Sequence, residues 1–304
     1  YLNNEYLGVY SEVYSTDELF LRKNKIMPVA IFKFSIDIGW YFRSYSHAFF
    51  NPFLWDRQSK NNMDENDNRS RIKSFFSDLN QGKENLLDLI DIKEWATYSA
   101  YRLISGDYHS NGLNNLKWIE DNHKGKLSQI IWDPVINLEK YDLSFFNKCE
   151  TELSCKLNSH PVFRYQKLKE VHKYIFEEKI YDSVKSKIKS EEKKILNSLS
   201  LDKYRLEFEN DLSVYLQKFF SPEEALETEI NKVYEYINFN KNFFEAQFNK
   251  PIDAKWEQYS NRLNIQINGL KPLKKILIQS KSKIKNVYYD VNNNNRIDNR
   301  DIKL

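Results

Sequence analysis

The spacing of apolar residues changes at Pro251. In the segment 163–250, apolar residues recur at the period of an amphipathic helix. They are Val184, Ile188, Ile195 and Leu199, followed by Leu226, Ile230, Val233, Ile237, Phe244 and Phe248. After Pro251, Leu263, Ile265 and Ile267 alternate with polar residues, which is typical of a strand. We therefore place a domain boundary near residue 250 and predict two parts, 1–250 and 251–304.

The first 250 residues combine strands with helices. The run 29–34 is aromatic and β-branched and predicts a strand, whereas the polar segment 56–70 predicts a surface loop. Asp91 at an N-cap position and Gly106 at a C-terminal position predict a helix between them. The whole pattern predicts an α+β fold, in which the second half of the first part is helical. The second part is predicted as a short β-rich, sandwich-like appendage with a hairpin turn at residues 268–269.

Charge and glycine content limit the functions of the chain. The 46 basic and 43 acidic residues give a net charge of +3, which provides no reason to expect nucleic acid or an acidic membrane as a partner. No apolar run approaches the roughly 18–20 residues of a membrane span. With 7 glycines in 304 residues, the chain contains neither G-x-G-x-x-G nor G-x-x-x-x-G-K-[ST]. The usual dinucleotide-binding fold and the P-loop are therefore excluded.

The cysteines and the first residue bear on the cellular compartment. Cys149 and Cys155 fit neither a C-x-x-C redox pair nor half of a zinc site, and whether they form a disulfide stays open. The chain starts at Tyr1 without a methionine or a signal-like segment. We interpret it as trimmed, which leaves open whether N-terminal strands are truncated.

Residues 104–135 bring together groups that suit phosphoryl transfer. Asp107 follows the predicted helix, and Asn114 and Asn115 open a strand that a turn at 123–125 joins to a second strand ending at Asp133. Two carboxylates and an amide are thus expected at the mouth of one hairpin. One carboxylate can deprotonate an acceptor hydroxyl, while the other and an Asn oxygen hold Mg²⁺. Caps and turns use the same residue types, so a purely structural role stays open.

This stretch resembles the CotH kinase family, the atypical secretory protein kinases of bacterial spore coats. The family pattern places an Asp after a helix, an N-N pair before a strand, a tight hairpin turn and a W-D end. The matching residues, in order, are Gly106-Asp107, Asn114-Asn115, Gly125-Lys126 and Trp132-Asp133. Shorter similarities occur at residues 4–10, 20–22, 31–33 and 91–95, so the resemblance is colinear over about residues 2–250.

The resemblance implies an atypical protein kinase-like fold that transfers phosphate from ATP to Ser or Thr hydroxyls of a protein substrate. It makes Asp107 the catalytic carboxylate and Asp133 a ligand of Mg²⁺ or Mn²⁺, with Asn114 or Asn115 assisting. Lys33 is then the candidate to meet the phosphates of ATP as a point charge. The same resemblance implies an extracellular or cell-surface location.

The sequence departs from the family pattern on the metal side. Val135 stands where the family has the second acid of W-D-x-D, and whether Glu139 or Asp142 compensates stays open. An insertion containing His109 lengthens the segment after Asp107, and we interpret His109 as a polar loop residue. A second hypothesis is therefore a non-catalytic, pseudokinase-like extracellular binding module.

The segment 290–301 matches a calcium-binding loop of the dockerin or EF-hand type. The pattern D-x-[DN]-x-[DN] is followed by an apolar residue at the eighth position and an acid at the twelfth. The predicted ligands of Ca²⁺ are Asp290, Asn292, Asn294, the carbonyl of Arg296, Asp298 and Asp301. Few carboxylates predict weak affinity in the extracellular range, roughly 10⁻⁴–10⁻³ M. An Asn-rich turn without metal is the alternative.

Overall fold

A computed structural model describes residues 15–26, 30–34, 48–58, 69–81, 84–107, 109, 115–121, 124–134, 146, 151–201, 222–259, 262–271, 278, 281, 283–289 and 302–303. The chain divides into two compact units. The helical unit comprises residues 1–14, 138–140 and 174–245, and the sheet unit comprises residues 15–137, 141–173 and 246–304. Helices and an antiparallel sheet are both present, which confirms the predicted α+β class.

The sheet unit is built on a four-stranded antiparallel sheet. Its strands are β1 (Ala30–Phe34), β2 (Trp55–Arg57), β3 (Lys117–Asp121) and β4 (Lys126–Ile130), in the order β2-β1-β3-β4. β1 confirms the strand predicted at 29–34, and β3 and β4 confirm the predicted hairpin. β2 overlaps the segment predicted as a loop, so that prediction is wrong for residues 56 and 57.

Five α-helices are described in the sheet unit. They are α1 (Glu18–Lys23), α2 (Ser70–Gln81), α3 (Ile92–Ser105), α4 (Glu152–Ser159) and α5 (Pro161–His172). α3 confirms the predicted helix: the Asp91 side chain accepts a hydrogen bond from the Glu94 amide at 3.1 Å, and Gly106 ends the helix with a φ of 69°. α3 packs against α5.

One face of the sheet is covered by an aromatic core. Trp55 of β2 and Trp118 of β3 stack with their ring centroids 4.2 Å apart. Side chains of α2, α3, α4 and α5 pack around them, among them Phe75, Phe76, Trp95, Leu153 and Phe163. Buried aromatic rings contribute a large apolar area each, so this cluster anchors the sheet to its helices.

The other face of the sheet is smaller and mixed in character. Leu21 of α1 packs there against Ile31, Ile119 and Ile130. Lys33 and Lys117 lie on this same face, because alternate residues of a strand point to the same side. α1 therefore shares this face of the sheet with the two lysines.

The helical unit confirms the helices predicted before Pro251. α6 (Ile180–Leu201) and α7 (Pro222–Asn249) are described there, although the last four residues of α7 belong to the sheet unit. Lys241 of α7 forms an ion pair with Asp182 of α6 at 2.9 Å. Among the helices of the described residues, none combines the length and the apolar character that a membrane span requires.

The segment after residue 250 is β-rich, as predicted. β5 (Asp253–Tyr259) and β6 (Arg262–Asn268) form an antiparallel hairpin, so β6 pairs with the strand before it. The hairpin turn predicted at 268–269 stays a prediction, because most of the strand expected after it lies outside the described residues. β7 (Tyr288–Tyr289) and β8 (Ile302–Lys303) also pair. The domain boundary near 250 stays a prediction.

Candidate active site

The end of α3 delivers Asp107 into the interior of the sheet unit. Gly106 adopts a left-handed conformation, which glycine enters without steric cost, and the chain leaves the helix there. The amide of Asp107 donates to the carbonyl of Arg102 at 3.0 Å. Asp107 is 1% exposed, so the predicted catalytic carboxylate is a buried group.

The hairpin of β3 and β4 brings Asn115 and Asp133 to its open end. The turn contains Gly125 with a φ of 67°, and the register pairs Lys117 with Ile130. Asn115 precedes β3 by two residues and Asp133 follows β4 by three, so both lie beyond the last paired residues. Asp133 itself has a φ of 49°, a conformation that few residues other than glycine adopt.

His109 joins these two predicted site residues. Its Nδ1 lies 3.1 Å from the Asp133 carbonyl oxygen and 3.3 Å from Asp133 Oδ2. The Asn115 amide nitrogen lies 3.1 Å from the same Nδ1 and donates to the His109 carbonyl at 3.2 Å. A residue interpreted from the sequence as part of a polar loop is thus in contact with both. The signal that could have found it is its position two residues after Asp107.

Lys33 and Lys117 form the second half of the site. They are direct cross-strand partners in β1 and β3, so their side chains are neighbours on one face of the sheet. Lys117 is 3% exposed, and its Nζ lies 3.1 Å from the centroid of the Trp132 ring and donates to the Thr16 hydroxyl. Burial, and then the positive charge of Lys33, lower the pKa of Lys117 to about 8.

Sequence reasoning missed Lys117. Its surroundings come from β1, from Thr16 and from the chain after β4, and none of these contacts is local in sequence. The available signal was weak: a lysine at the start of a strand that is otherwise apolar from residue 116 to 119. A lysine at a strand end is usually solvated, so its type alone does not indicate burial.

The site contains the ligand types that Mg²⁺ uses. Asp133 offers a half-exposed carboxylate and Asn115 offers an amide group, and both side chains contact His109. Mg²⁺ is usually held by one or two carboxylates and completes its shell with water and substrate phosphates, so this set fits the ion. Within the described ranges, no group of three or more His, Cys, Asp or Glu side chains is arranged around a metal position.

Other predicted residues fall outside this cluster. Asn114, Val135, Glu139, Asp142 and the calcium ligands at 290–301 lie outside the described residues. Asp107 is described as a buried residue, whereas the Asp133 side chain is half-exposed. Cys155 in α4 is disulfide-bonded, and Cys149, the second of the two cysteines, lies outside the described part of the chain.

No protein-family model matches the chain, and no curated protein sequence matches it significantly.

Proposed function

We propose that the sheet unit is an atypical, CotH-like protein kinase domain that transfers phosphate from ATP to Ser or Thr hydroxyls of secreted or surface proteins. One observation carries the proposal: three contacts at the open end of the β3–β4 hairpin, whose members are joined into a ring by neighbours along the chain. Asn115 contacts His109, His109 contacts Asp133, and Trp132 beside Asp133 contacts Lys117. Lys117 follows Asn115 by two residues, which closes the ring.

The ring suits a metal–phosphate substrate because it sets oxygen ligands beside cations. Asp133 and Asn115, with Asn114, would hold the ion, while Lys33 would meet the phosphates as a point charge. When bound, Mg²⁺ or Mn²⁺ neutralises the charge that develops on the phosphate oxygens during transfer. Lys33 adds a positive charge on the face of the sheet that also carries Lys117.

The reaction would then proceed as a single displacement. The acceptor hydroxyl oxygen forms a bond to the γ-phosphorus as the bond from that phosphorus to the β–γ bridging oxygen breaks, and ADP leaves. The hydroxyl proton passes to the Asp107 carboxylate, which also orients the hydroxyl. Because Asp107 is almost completely buried, this role requires its carboxylate to become accessible when the protein substrate binds.

Phosphoryl transfer to a Ser-rich protein tests the proposal directly. The whole chain is incubated with ATP labelled on the γ-phosphate, with Mg²⁺ or Mn²⁺, and incorporation into the substrate is measured. Asp107→Ala should lower the rate by at least about a hundredfold, since general-base catalysis alone contributes that much. Asp133→Asn should also lower the rate, because it removes a carboxylate ligand of the metal. Asp88→Asn, at an exposed position away from the ring, should leave the rate unchanged. No transfer by the wild-type chain would rule out the enzyme.

The burial of Asp107 also favours a second candidate, the non-catalytic pseudokinase-like module. A carboxylate at 1% exposure can act as a structural group, and the ring of contacts would then bind nucleotide without transfer. Calorimetry with ATP shows whether the chain binds nucleotide, which both the kinase and the pseudokinase require. Binding without transfer supports the pseudokinase, whereas absence of both supports a surface module of another kind.

The calcium loop is proposed as a separate, structural site. β7 and β8 flank the segment 290–301, and Tyr289 and Ile302 are direct register partners. In the sequence, Asp290 therefore directly follows β7 and Asp301 directly precedes β8. The disulfide at Cys155 and a weak calcium site both suit the proposed extracellular or cell-surface location.

A further inference from the structure

Two lysines lie side by side on the small face of the sheet. The register places Asp56, Lys33, Lys117 and Ile130 in one row across the four strands. Direct cross-strand partners have Cβ atoms roughly 5 Å apart, and like charges at this separation destabilise a sheet. Two adjacent ammonium groups are therefore a feature that needs an explanation.

Within the part of the chain that the structure describes, no acidic side chain pairs with Lys117. The described contacts of its ammonium are a hydroxyl, that of Thr16, and the face of the Trp132 ring. Among the described residues, neither Lys33 nor Lys117 forms an ion pair, and Asp56, although it lies opposite Lys33, is not within ion-pair distance. A buried charge without a counter-charge is costly, so an anion bound beside Lys117 would offset that cost.

The neighbouring groups favour a phosphate chain over other anions. The Lys117 ammonium contacts Trp132, and the next residue is Asp133, whose carboxylate fits a divalent ion. An anion with a single carboxylate could pair with the two lysines, but the metal position at Asp133 would then have no function. A condensed phosphate engages both, because its oxygens accept from the lysines and also complete the shell of the metal.

We propose that Lys33 and Lys117 together form a binding site for a condensed phosphate chain, with Lys117 as the inner and Lys33 as the outer cation. The inference rests on the proposed function for the identity of the natural ligand, the triphosphate of ATP. It goes further in assigning the phosphate contact to a pair of lysines, and in requiring that triphosphate binds without adenosine or an acceptor.

Calorimetry with inorganic triphosphate, in the presence and absence of Mg²⁺, tests the proposal on the whole chain. The wild-type chain should bind, and Lys117→Met and Lys33→Met should each weaken the affinity at least about tenfold, as expected for the loss of one charged contact. Lys93→Met, which removes the same charge from an exposed position in α3, should bind as the wild type does. Absence of binding at millimolar triphosphate, or equal binding by Lys117→Met, would overturn the proposal.

Thermal unfolding separates this role from a structural one. If Lys117 is an uncompensated cation, Lys117→Met should raise the Tm of the free protein while it weakens binding. A lysine held only for its contacts with Thr16 and Trp132 would instead give a lower Tm and unchanged triphosphate affinity. Should Lys117→Met not fold, the half-buried Lys33→Met still decides the case. Triphosphate binding without transfer to protein would disprove the kinase and keep the phosphate site.

Discussion

Lys167 of α5 is a buried amine in a basic environment. Its Nζ donates to the Phe146 carbonyl at 2.7 Å and to Asn158 Oδ1 at 2.9 Å, and the residue is 6% exposed. Burial, followed by the charges of Arg102 and Arg164, lowers the pKa of Lys167 to about 7. A neutral amine keeps two N–H donors, so both hydrogen bonds survive deprotonation.

The depressed pKa predicts how stability depends on pH. Between about pH 7 and the ordinary lysine pKa of about 10.4, the unfolded chain binds more protons than the folded one, so the free energy of unfolding rises with pH. Relative to Lys167→Met, the wild type should gain up to about 1.4 kcal/mol per pH unit in this window. Below pH 7 the difference should be flat. Denaturant unfolding at several pH values measures it.

Lys169→Met, an exposed change in the same helix, is the control for this comparison. Its pH dependence should follow that of the wild type. A Lys167→Met curve parallel to the wild-type curve from pH 7 to pH 10 would contradict the assignment, because Lys167 would then be protonated in the folded state as it is in the unfolded state.

Individual site residues differed in how far they could be predicted. Asp107, Asn115 and Asp133 are marked by their place next to a helix end or a strand end, and these boundaries are encoded locally. His109 and Lys117 are not marked in this way. What makes them notable is contact with groups brought in by the sheet, and a single chain segment does not specify such contacts.

The hairpin of β3 and β4 depends on the backbone of its turn. Gly125 has a φ of 67°, and a Cβ placed there would meet nothing within 4 Å. The cost of a side chain at this position is therefore conformational and not steric. We expect Gly125→Ala to lower the free energy of unfolding by about 1–2 kcal/mol, the usual cost of a left-handed residue.

Gly125→Asn is the matched variant, since Asn enters the left-handed region more readily. It should lose less stability than Gly125→Ala, as measured by denaturant unfolding. Equal losses for both variants would show that the turn requires more than a positive φ. Because the hairpin carries both Lys117 and Asp133, triphosphate affinity should fall with Gly125→Ala only if the turn also sets the register.

At the level of elements, prediction succeeded where the signals are local. α3 is bounded by a capping Asp91 and a C-terminal Gly106, and each supplies a specific backbone or side-chain interaction. β2 was missed because it is three residues long and borders a polar segment. β6 was identified from its alternation, but its partner was not, since alternation gives no information on which strand lies beside it.

The whole chain should respond to calcium if the loop at 290–301 binds it. A ligand that binds the folded state at ten times its Kd stabilises that state by about 1.4 kcal/mol, so millimolar Ca²⁺ should raise Tm. Asp290→Ala should abolish the shift, whereas Asp253→Asn in β5, outside the loop, should retain it. An unchanged Tm up to ten millimolar Ca²⁺, or an equal shift with Mg²⁺, would argue against a specific site.

For the whole molecule, the α+β class could be predicted, but the arrangement could not. The change of apolar period at Pro251 separates helices from strands along the chain. The order β2-β1-β3-β4 places β1 between strands from distant segments, and periodicity carries no information on such pairing. The division into two units likewise joins segments that are far apart in sequence.

The ring of contacts has a consequence for the order in which the molecule assembles. The contact of His109 with Asp133 spans 24 residues, and that with Asn115 spans only 6, whereas the contact of Lys117 with Thr16 spans 101. Loop closure costs more entropy as the loop lengthens, and contacts between nearby residues form earlier on average. The contacts of His109 with Asn115 and Asp133, where a metal is proposed, can therefore form with the hairpin. The surroundings of Lys117, where phosphate is proposed, wait for β1 and the segment at Thr16 to dock. If that late docking is destabilised, the β3–β4 hairpin keeps the Asp133 carboxylate in position, but Lys33 of β1 is no longer beside the hairpin.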